Sequence, residues 1–124
     1  MAKQALILFA HGARDAQWAR PFQQLVIELA DLLPGERIVL AFLELMQPSL
    51  PDCATALRAE GVRNLRVVPV FFGSGGHLKA DLPKLVAELR ERFPDLAISV
   101  EPPIGERPEV IGAIARVVAR SIAG

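Results

Sequence analysis

The chain has 124 residues, of which 52% are hydrophobic and 23% charged, and its 14 basic side chains balance 14 acidic ones. This composition excludes a disordered chain and is typical of one globular domain, so we expect residues 1–124 to form a single domain. The net charge of zero gives no support to nucleic-acid binding, which normally requires a basic surface.

The cysteine content and the apolar runs bear on location. Cys53 is the only cysteine, and one thiol cannot form an internal disulfide, which is typical of a reducing cytosol. The apolar run at residues 5–10 is too short for the apolar part of a signal peptide. No run approaches the roughly 20 residues that span a bilayer. We therefore expect a cytoplasmic protein without a membrane partner.

Strand and helix patterns alternate four times along the chain. Continuous apolar runs, typical of strands that are covered on both faces, occupy residues 5–10, 37–45, 64–72 and 97–101. Each run is followed by a segment with helical spacing of apolar residues, at 17–33, 50–60, 78–93 and 107–122. Pro69 is unusual inside a strand because proline donates no ladder hydrogen bond, so we expect it beside a bulge or near the strand's end.

This alternation predicts an α/β fold with three layers, α/β/α, around a four-stranded parallel sheet. Strands joined by helices of this length imply right-handed crossovers, and the pattern is that of a flavodoxin-like half-unit. In such sheets, ligands bind outside the carboxyl ends of the strands. Functional side chains are therefore expected just after the predicted strands.

Three polar residues occupy that position. His11 directly follows the first predicted strand, Glu44 lies at the end of the second, and His77 comes in the loop after the third. No other histidine is present. Because the carboxyl ends of parallel strands meet at one edge, we expect these side chains to converge there.

Two imidazoles and a carboxylate suit a divalent metal such as zinc, cobalt, ferrous iron or nickel, and they leave open positions for water or a substrate. The alternatives are that His11 and His77 are surface or capping residues and that Glu44 pairs with a nearby arginine. A carboxylate inside an apolar run nevertheless merits notice, since burying a charge is costly.

The glycine loop at residues 73–76 precedes a helix, so it could hold a phosphate or lie against a flat ligand, or it could be a plain turn. It matches neither the dinucleotide fingerprint nor the P-loop. Charged residues near the same edge are candidates for binding ligand carboxylates, although each could be a solvated surface charge: Arg14, Asp15, Arg20, Lys79 and Arg107. Asp15 could equally cap the first helix, and we interpret Trp18, Met46 and Cys53 as structural.

The sequence resembles the small CbiX-type chelatases, relatives of the class II chelatases that insert cobalt, iron or nickel into sirohydrochlorin-type tetrapyrroles. The resemblance covers nearly the whole chain. It is carried by residues 11–15 (HGARD), 41–44 (AFLE) with Pro48, 68–72 (VPVFF) leading into 76–77 (GH), 81–83 (DLP), and 103–105 (PIG) with Pro108. Ala13 departs from the family's usual serine, which puts any hydrogen bond from that position in doubt.

The resemblance implies a chelatase reaction and a set of site residues. His11 and His77 would be the metal-binding and proton-handling pair, with Glu44 as a further catalytic residue; the alternatives are that one histidine ligates while the other accepts protons, or that both ligate. Arg14, Gly75, Gly76 and Lys79 would contact the tetrapyrrole. The divalent metal, whether cobalt, ferrous iron or nickel, would be a substrate, and no organic cofactor is expected.

The last predicted helix is apolar around much of its circumference, which suggests burial against something beyond its own sheet. Short members of the resembled family pair as homodimers, so we expect a homodimer with the cleft between subunits. Two other functions remain open: a non-catalytic carrier of cobalt or nickel, and a flavodoxin-like module that binds a phosphorylated small molecule.

Overall fold

The computed structural model describes residues 3–73 and 76–123, and for residues 76–79 it describes the main chain alone. Four strands form one sheet: β1 (Lys3–Ala10), β2 (Arg37–Phe42), β3 (Val62–Pro69) and β4 (Ala97–Val100). Four α-helices connect or follow them: α1 (Arg20–Leu32), α2 (Leu50–Ala59), α3 (Gly76–Arg92) and α4 (Pro108–Ala123). Two short 3-10 helices, Ala16–Ala19 and Ile104–Glu106, precede α1 and α4.

The sheet is parallel throughout and has the order β2-β1-β3-β4. This order confirms the predicted four-stranded parallel sheet and the flavodoxin-like arrangement. Pro69 is the last residue of β3, paired with Phe9 of β1, which confirms its expected place near a strand end. The irregularity in the ladder lies between Lys3 and Gln4 instead.

Local sequence explains where α2 begins and ends. Ser49 caps its N-terminus, where the hydroxyl accepts a 3.2 Å hydrogen bond from the main-chain N–H of Asp52. Pro51 lies in the first turn, where proline's fixed φ suits a helix. The predicted end at Glu60 and the stop at Gly61 are confirmed, since α2 ends at Ala59 and Glu60 is its C-cap.

The larger core lies on the face of the sheet that α2 and α3 cover, which we call face 1. Ile7, Phe9 and Val67 of the sheet meet Leu57 of α2 and Val86 of α3, all of them 2% exposed or less. Face 2, on the other side, carries a smaller core around Leu8, Ala10, Phe42 and Val70, against which α1 packs partly buried side chains. Helices on both faces confirm the predicted layers.

Helix α4 differs from the other helices in its packing. It has no buried residue, and the element it mainly contacts is the 3-10 helix at Ile104–Glu106. Its apolar side chains are exposed, and Val117, Val118 and Ile122 are 57 to 89% exposed. The apolar side chains expected on α4 are therefore present, and they lie open in the single chain.

Several predicted boundaries were wrong at the carboxyl ends of strands. The second strand was expected to reach Leu45 but ends at Phe42, and the third was expected to reach Phe72 but ends at Pro69. Leu45 and Phe72 are consequently 59% and 65% exposed. An apolar run continues past the strand in both places, and periodicity alone cannot separate the strand from an apolar loop that follows it.

Candidate functional site

The carboxyl ends of β1 and β2 bring two predicted site residues together. His11 follows the last residue of β1, and Glu44 comes two residues after the end of β2, which is the neighbouring strand. The ladder between the strands continues into these loops, since the Leu43 N–H donates to the Ala10 carbonyl at 2.9 Å and the Glu44 N–H donates to the His11 carbonyl at 3.1 Å. The two side chains are thus anchored by main-chain bonds.

The His11 and Glu44 side chains are in direct contact. Nε2 of the imidazole lies 3.1 Å from Oε1 of the carboxylate, and the two side chains are 43% and 52% exposed. With a neutral ring, Nε2–H donates to the carboxylate and Nδ1 keeps its lone pair. The pair can therefore present an oriented imidazole nitrogen and a carboxylate oxygen to a metal ion or to a proton.

This contact corrects the interpretation of Glu44 on two points. The sequence suggested a carboxylate at the end of a strand, surrounded by apolar residues, whereas Glu44 lies in a loop and is half exposed. The alternative partner was an arginine, whereas the carboxylate contacts the imidazole of His11. Glu44 is thus a candidate site residue because it contacts His11, and not because its charge is buried.

Four other predicted site residues belong to the glycine loop and the start of α3. Gly75 and the side chains of His77 and Lys79 are outside the described residues, and of Gly76 the main chain alone is described. The main chain places His77 in the first turn of α3, which begins at Gly76, so His77 is not in the loop that precedes the helix as expected. Whether the His77 ring meets His11 stays a prediction.

The remaining charged candidates fall into three groups. Asp15 caps the 3-10 helix Ala16–Ala19 that leads into α1, because its carboxylate accepts a 2.9 Å hydrogen bond from the Gln17 N–H; a capping role is thus confirmed, although the N-cap of α1 itself is Ala19. Arg107 lies 3.5 Å from Glu101 in an ion pair. Arg14 and Arg20 are exposed, as an arginine that binds a ligand carboxylate would be.

Trp18 and Cys53 have the structural roles that the sequence suggested. Trp18 packs against Phe22, with ring centroids 4.7 Å apart, and both are partly buried against the core of face 2. Cys53 is 6% exposed in the core of face 1. Burial raises the pKa of its thiol to about 11, so Cys53 is a poor nucleophile and a poor metal ligand near neutral pH.

Sequence reasoning missed the exposed apolar side chains beside the pair. Leu45 follows Glu44 with a φ of +66°, in the left-handed region, and Phe72 lies in the loop after β3. Because β1 lies between β2 and β3, these two side chains belong to the loops on either side of His11. No pattern in the sequence distinguishes them from the strands that precede them.

Neither a three-residue metal cluster nor a membrane-spanning helix occurs among the described residues. No three histidine, cysteine, aspartate or glutamate side chains among those that the structure describes are grouped as a metal site would require, and His77 is not among them. Within the described part of the chain, no helix has the length and the apolar character needed to cross a membrane.

The fold and the site define a class of protein: a parallel α/β domain with an imidazole–carboxylate pair at the carboxyl edge of its sheet. Residues 5–121 match the model of the CbiX family. The chain belongs to the CbiX family.

The chain is similar to proteins that are named sirohydrochlorin chelatases or CbiX proteins. The sirohydrochlorin cobaltochelatase of Sulfurisphaera tokodaii is 32% identical over 102 residues, which are 81% of this chain and 78% of that protein. A crystal structure of a putative cobalamin biosynthesis CbiX protein from Marinobacter aquaeolei has a TM-score of 0.86 and 32% identity, and the match covers 97% of this chain and 98% of that one. The sirohydrochlorin chelatase SirB of Bacillus subtilis subspecies spizizenii, solved with cobalt, has a TM-score of 0.77 and 29% identity over 98% of this chain and 51% of its own.

Proposed function

We propose that this chain is a chelatase that inserts a divalent metal into sirohydrochlorin. The observation that carries the proposal is the contact between His11 and Glu44, 3.1 Å apart at the carboxyl edge of the sheet in a chain of the CbiX family. The relative from Sulfurisphaera tokodaii is named a sirohydrochlorin cobaltochelatase, and another, from Bacillus subtilis, is named a sirohydrochlorin ferrochelatase. Cobalt and ferrous iron are the proposed substrate metals, with nickel as a third candidate.

The reaction requires a metal with open coordination positions and an acceptor for protons. A tetrapyrrole must lose two inner N–H protons before its four nitrogens can hold a divalent ion. An imidazole near neutral pH can ligate the ion or accept a proton, and a carboxylate can do the same. His11 and Glu44 together supply both kinds of group on adjacent loops.

His77 is the proposed second imidazole of the site. Its support is its place in the chain: α3 begins at Gly76, in the connection that follows β3, and β3 lies directly beside β1. In this assignment His11 and His77 hold the incoming metal, and Glu44 orients the His11 ring and takes up protons. Cobalt affinity tests it, because His11→Ala and His77→Ala should each lower the affinity, and a His77→Ala variant with full affinity would remove His77 from the site.

The loops beside the His11–Glu44 pair are proposed to bind the tetrapyrrole ring. The exposed Arg14 lies three residues after His11 in the same loop, and its guanidinium suits the carboxylates on the rim of the ring. Lys79, Gly75 and Gly76 are proposed for the same ring by their place after β3. Leu45 and Phe72 add exposed apolar surface that suits the flat face of the macrocycle.

We further propose that the protein acts as a homodimer with the cleft between subunits. Exposed apolar side chains line one side of α4, and this chain matches about half the length of SirB, 51% of that chain. A second copy would supply the missing half. A lone thiol that is largely buried suits the proposed cytoplasmic location.

The catalytic proposal is tested by following ring absorption after the protein is mixed with sirohydrochlorin and cobalt or ferrous iron. We expect insertion well above the spontaneous rate. A protein that binds the metal without accelerating insertion would be a carrier, and a protein that binds neither metal nor ring would refute the proposal.

The dimer is tested by the mass in sedimentation. We expect wild type to sediment as two chains at micromolar concentration and Val118→Asp to sediment as one, because the new carboxylate would be buried at the interface. Ala119→Asp is the matched control, since its side chain points about 100° further round α4. A wild-type mass equal to one chain would refute the dimer.

A further inference from the structure

The loops that carry His11 and Glu44 meet at Gly12. Gly12 is buried, has a φ of +100°, and lies against the main chain of Glu44. A methyl group built on its Cα would overlap the Glu44 carbonyl oxygen and lie 3.0 Å from the carbonyl carbon. Only a residue without a side chain permits this approach.

Gly12 approaches the Glu44 main chain where the two loops are already joined by a hydrogen bond. The Glu44 N–H donates to the His11 carbonyl at 3.1 Å, so the carbonyl that precedes Gly12 and the amide of Glu44 are bonded. Gly12 then turns with a positive φ beneath the Glu44 carbonyl, and the next residue, Leu45, has a φ of +66°. The main chain on both sides of Glu44 is thus fixed by its neighbour loop.

We propose that Gly12 is a positioning residue that sets the spacing between the His11 imidazole and the Glu44 carboxylate. A side chain at position 12 would push the Glu44 main chain away from β1. The carboxylate would move with it, and the 3.1 Å contact with Nε2 would open. Gly12 itself touches neither metal nor ring, and the inference rests on the proposed function only in that the His11 ring, oriented by Glu44, binds the metal.

A matched control separates the close approach from the need for a positive φ. Gly35 has a φ of +88°, and a methyl group built there has no atom within 4 Å. It lies between α1 and β2, at the amino end of that strand. Gly35→Ala therefore introduces similar backbone strain without overlap, whereas Gly12→Ala introduces both.

The experiment measures the affinity for cobalt alone, by calorimetry without the tetrapyrrole. We expect Gly35→Ala to bind cobalt as wild type does and Gly12→Ala to lose about 10- to 100-fold, the range typical of removing a group that orients a ligand. Glu44→Gln should lose a similar factor. The double variant Gly12→Ala/Glu44→Gln should lose little more than Glu44→Gln, because both changes act on one contact.

Other results would overturn the assignment. Wild-type cobalt affinity in a folded Gly12→Ala variant would do so, as would losses that simply multiply in the double variant, or a wild-type chain that binds no cobalt. A folded chain with Gly12-dependent cobalt binding that does not accelerate insertion would instead refute the proposed function and leave this inference standing.

A second variant covers the case in which Gly12→Ala does not fold. Glycine at position 45 adopts any φ. In Gly12→Ala/Leu45→Gly the main chain at Glu44 can therefore shift away from the new methyl group. We expect this variant to fold and to bind cobalt more weakly than Leu45→Gly. Equal affinities would overturn the proposal, and failure of both variants to fold at low temperature would make Gly12 a requirement of the fold instead.

Discussion

The two faces of the sheet differ in how completely a single chain covers them. On face 1, α2 and α3 contribute seven side chains that are 8% exposed or less: Leu50, Cys53, Ala54, Leu57, Leu82, Val86 and Leu89. Neither α1, which packs on face 2, nor α4, which mainly contacts the 3-10 helix whose Ile104 packs on that face, contributes a buried residue. The apolar residues of those two helices include several that are more than half exposed, among them Ile27, Leu32, Val117, Val118 and Ile122.

This difference indicates which face stabilises the chain and which is left for a partner. Apolar burial is the main favourable contribution to folding, so face 1 accounts for most of the stability of one chain. An exposed apolar surface of contiguous helical residues marks an interaction site in soluble proteins. A second copy of the chain is the proposed partner, and the following predictions test the comparison between the faces.

The largest effect is expected from matched leucine truncations. Leu57 of α2 is 1% exposed, and Leu32 of α1 is 75% exposed. Leu57→Ala should lower the free energy of unfolding by about 2–5 kcal/mol, because it removes buried methyl groups and leaves a cavity. Leu32→Ala should change it by less than about 0.5 kcal/mol in dilute protein. Urea denaturation measures both, and equal losses would contradict the difference between the faces.

The next effect concerns protein concentration. If face 2 is completed by a second copy, dimer formation stabilises the folded chain by mass action. The thermal midpoint of wild type should therefore rise as the protein concentration is raised over about a 100-fold range. Val118→Asp should show a midpoint that does not depend on concentration. A wild-type midpoint without concentration dependence would argue against the dimer.

Face 1 should also protect its cysteine. Cys53 is 6% exposed, and burial raises the pKa of its thiol to about 11. Since the thiolate is the reactive form, labelling by a disulfide reagent at pH 8 should be much slower in the folded chain than in urea. Absorbance of the released chromophore measures the rate. Equally fast labelling in both states would show that face 1 opens readily.

The smallest effect is expected from the exposed ion pair at the end of α2. Nε and Nη2 of Arg58 donate to Asp95 at 2.9 and 3.0 Å, and this guanidinium lowers the pKa of the Asp95 carboxyl from its ordinary value of 3.8. A carboxylate with a lowered pKa stabilises the folded chain above its ordinary pKa, and this contribution is lost as the pH falls through the folded value.

Asp95→Asn should therefore unfold at a slightly lower temperature than wild type at pH 7. This gap in unfolding temperature should close as the pH falls below 3.8. Thermal unfolding across this range measures the gap. Asp31→Asn, on α1, removes the same formal charge and serves as the control. A gap that widens toward low pH would reverse the sign of the predicted contribution.

The sequence was sufficient for the fold class but not for the contacts at the site. Alternating apolar runs and helical segments predicted the parallel sheet, because this connectivity leaves few alternatives. The runs could not show that β2 ends at Phe42 and β3 at Pro69, since Leu45 and Phe72 are apolar although they lie in exposed loops. Apolar character reports burial only on average.

The approach of Gly12 to Glu44 depends on backbone geometry across two strands. The register pairs Ala10 with Phe42, and only this register brings the residues that follow into contact. A glycine after a histidine carries no such information in the sequence. The same limit applies to α4, whose apolar circumference was visible in the sequence while its lack of buried residues was not.

The central claim is that the His11–Glu44 pair takes part in metal insertion, and the most direct test is the rate of cobalt insertion into sirohydrochlorin by His11→Ala. With the fold intact by circular dichroism, we expect the protein-dependent rate to fall by about 100-fold or more, the usual scale for losing a positioned acid–base group. Insertion by folded His11→Ala at the wild-type rate would contradict the account.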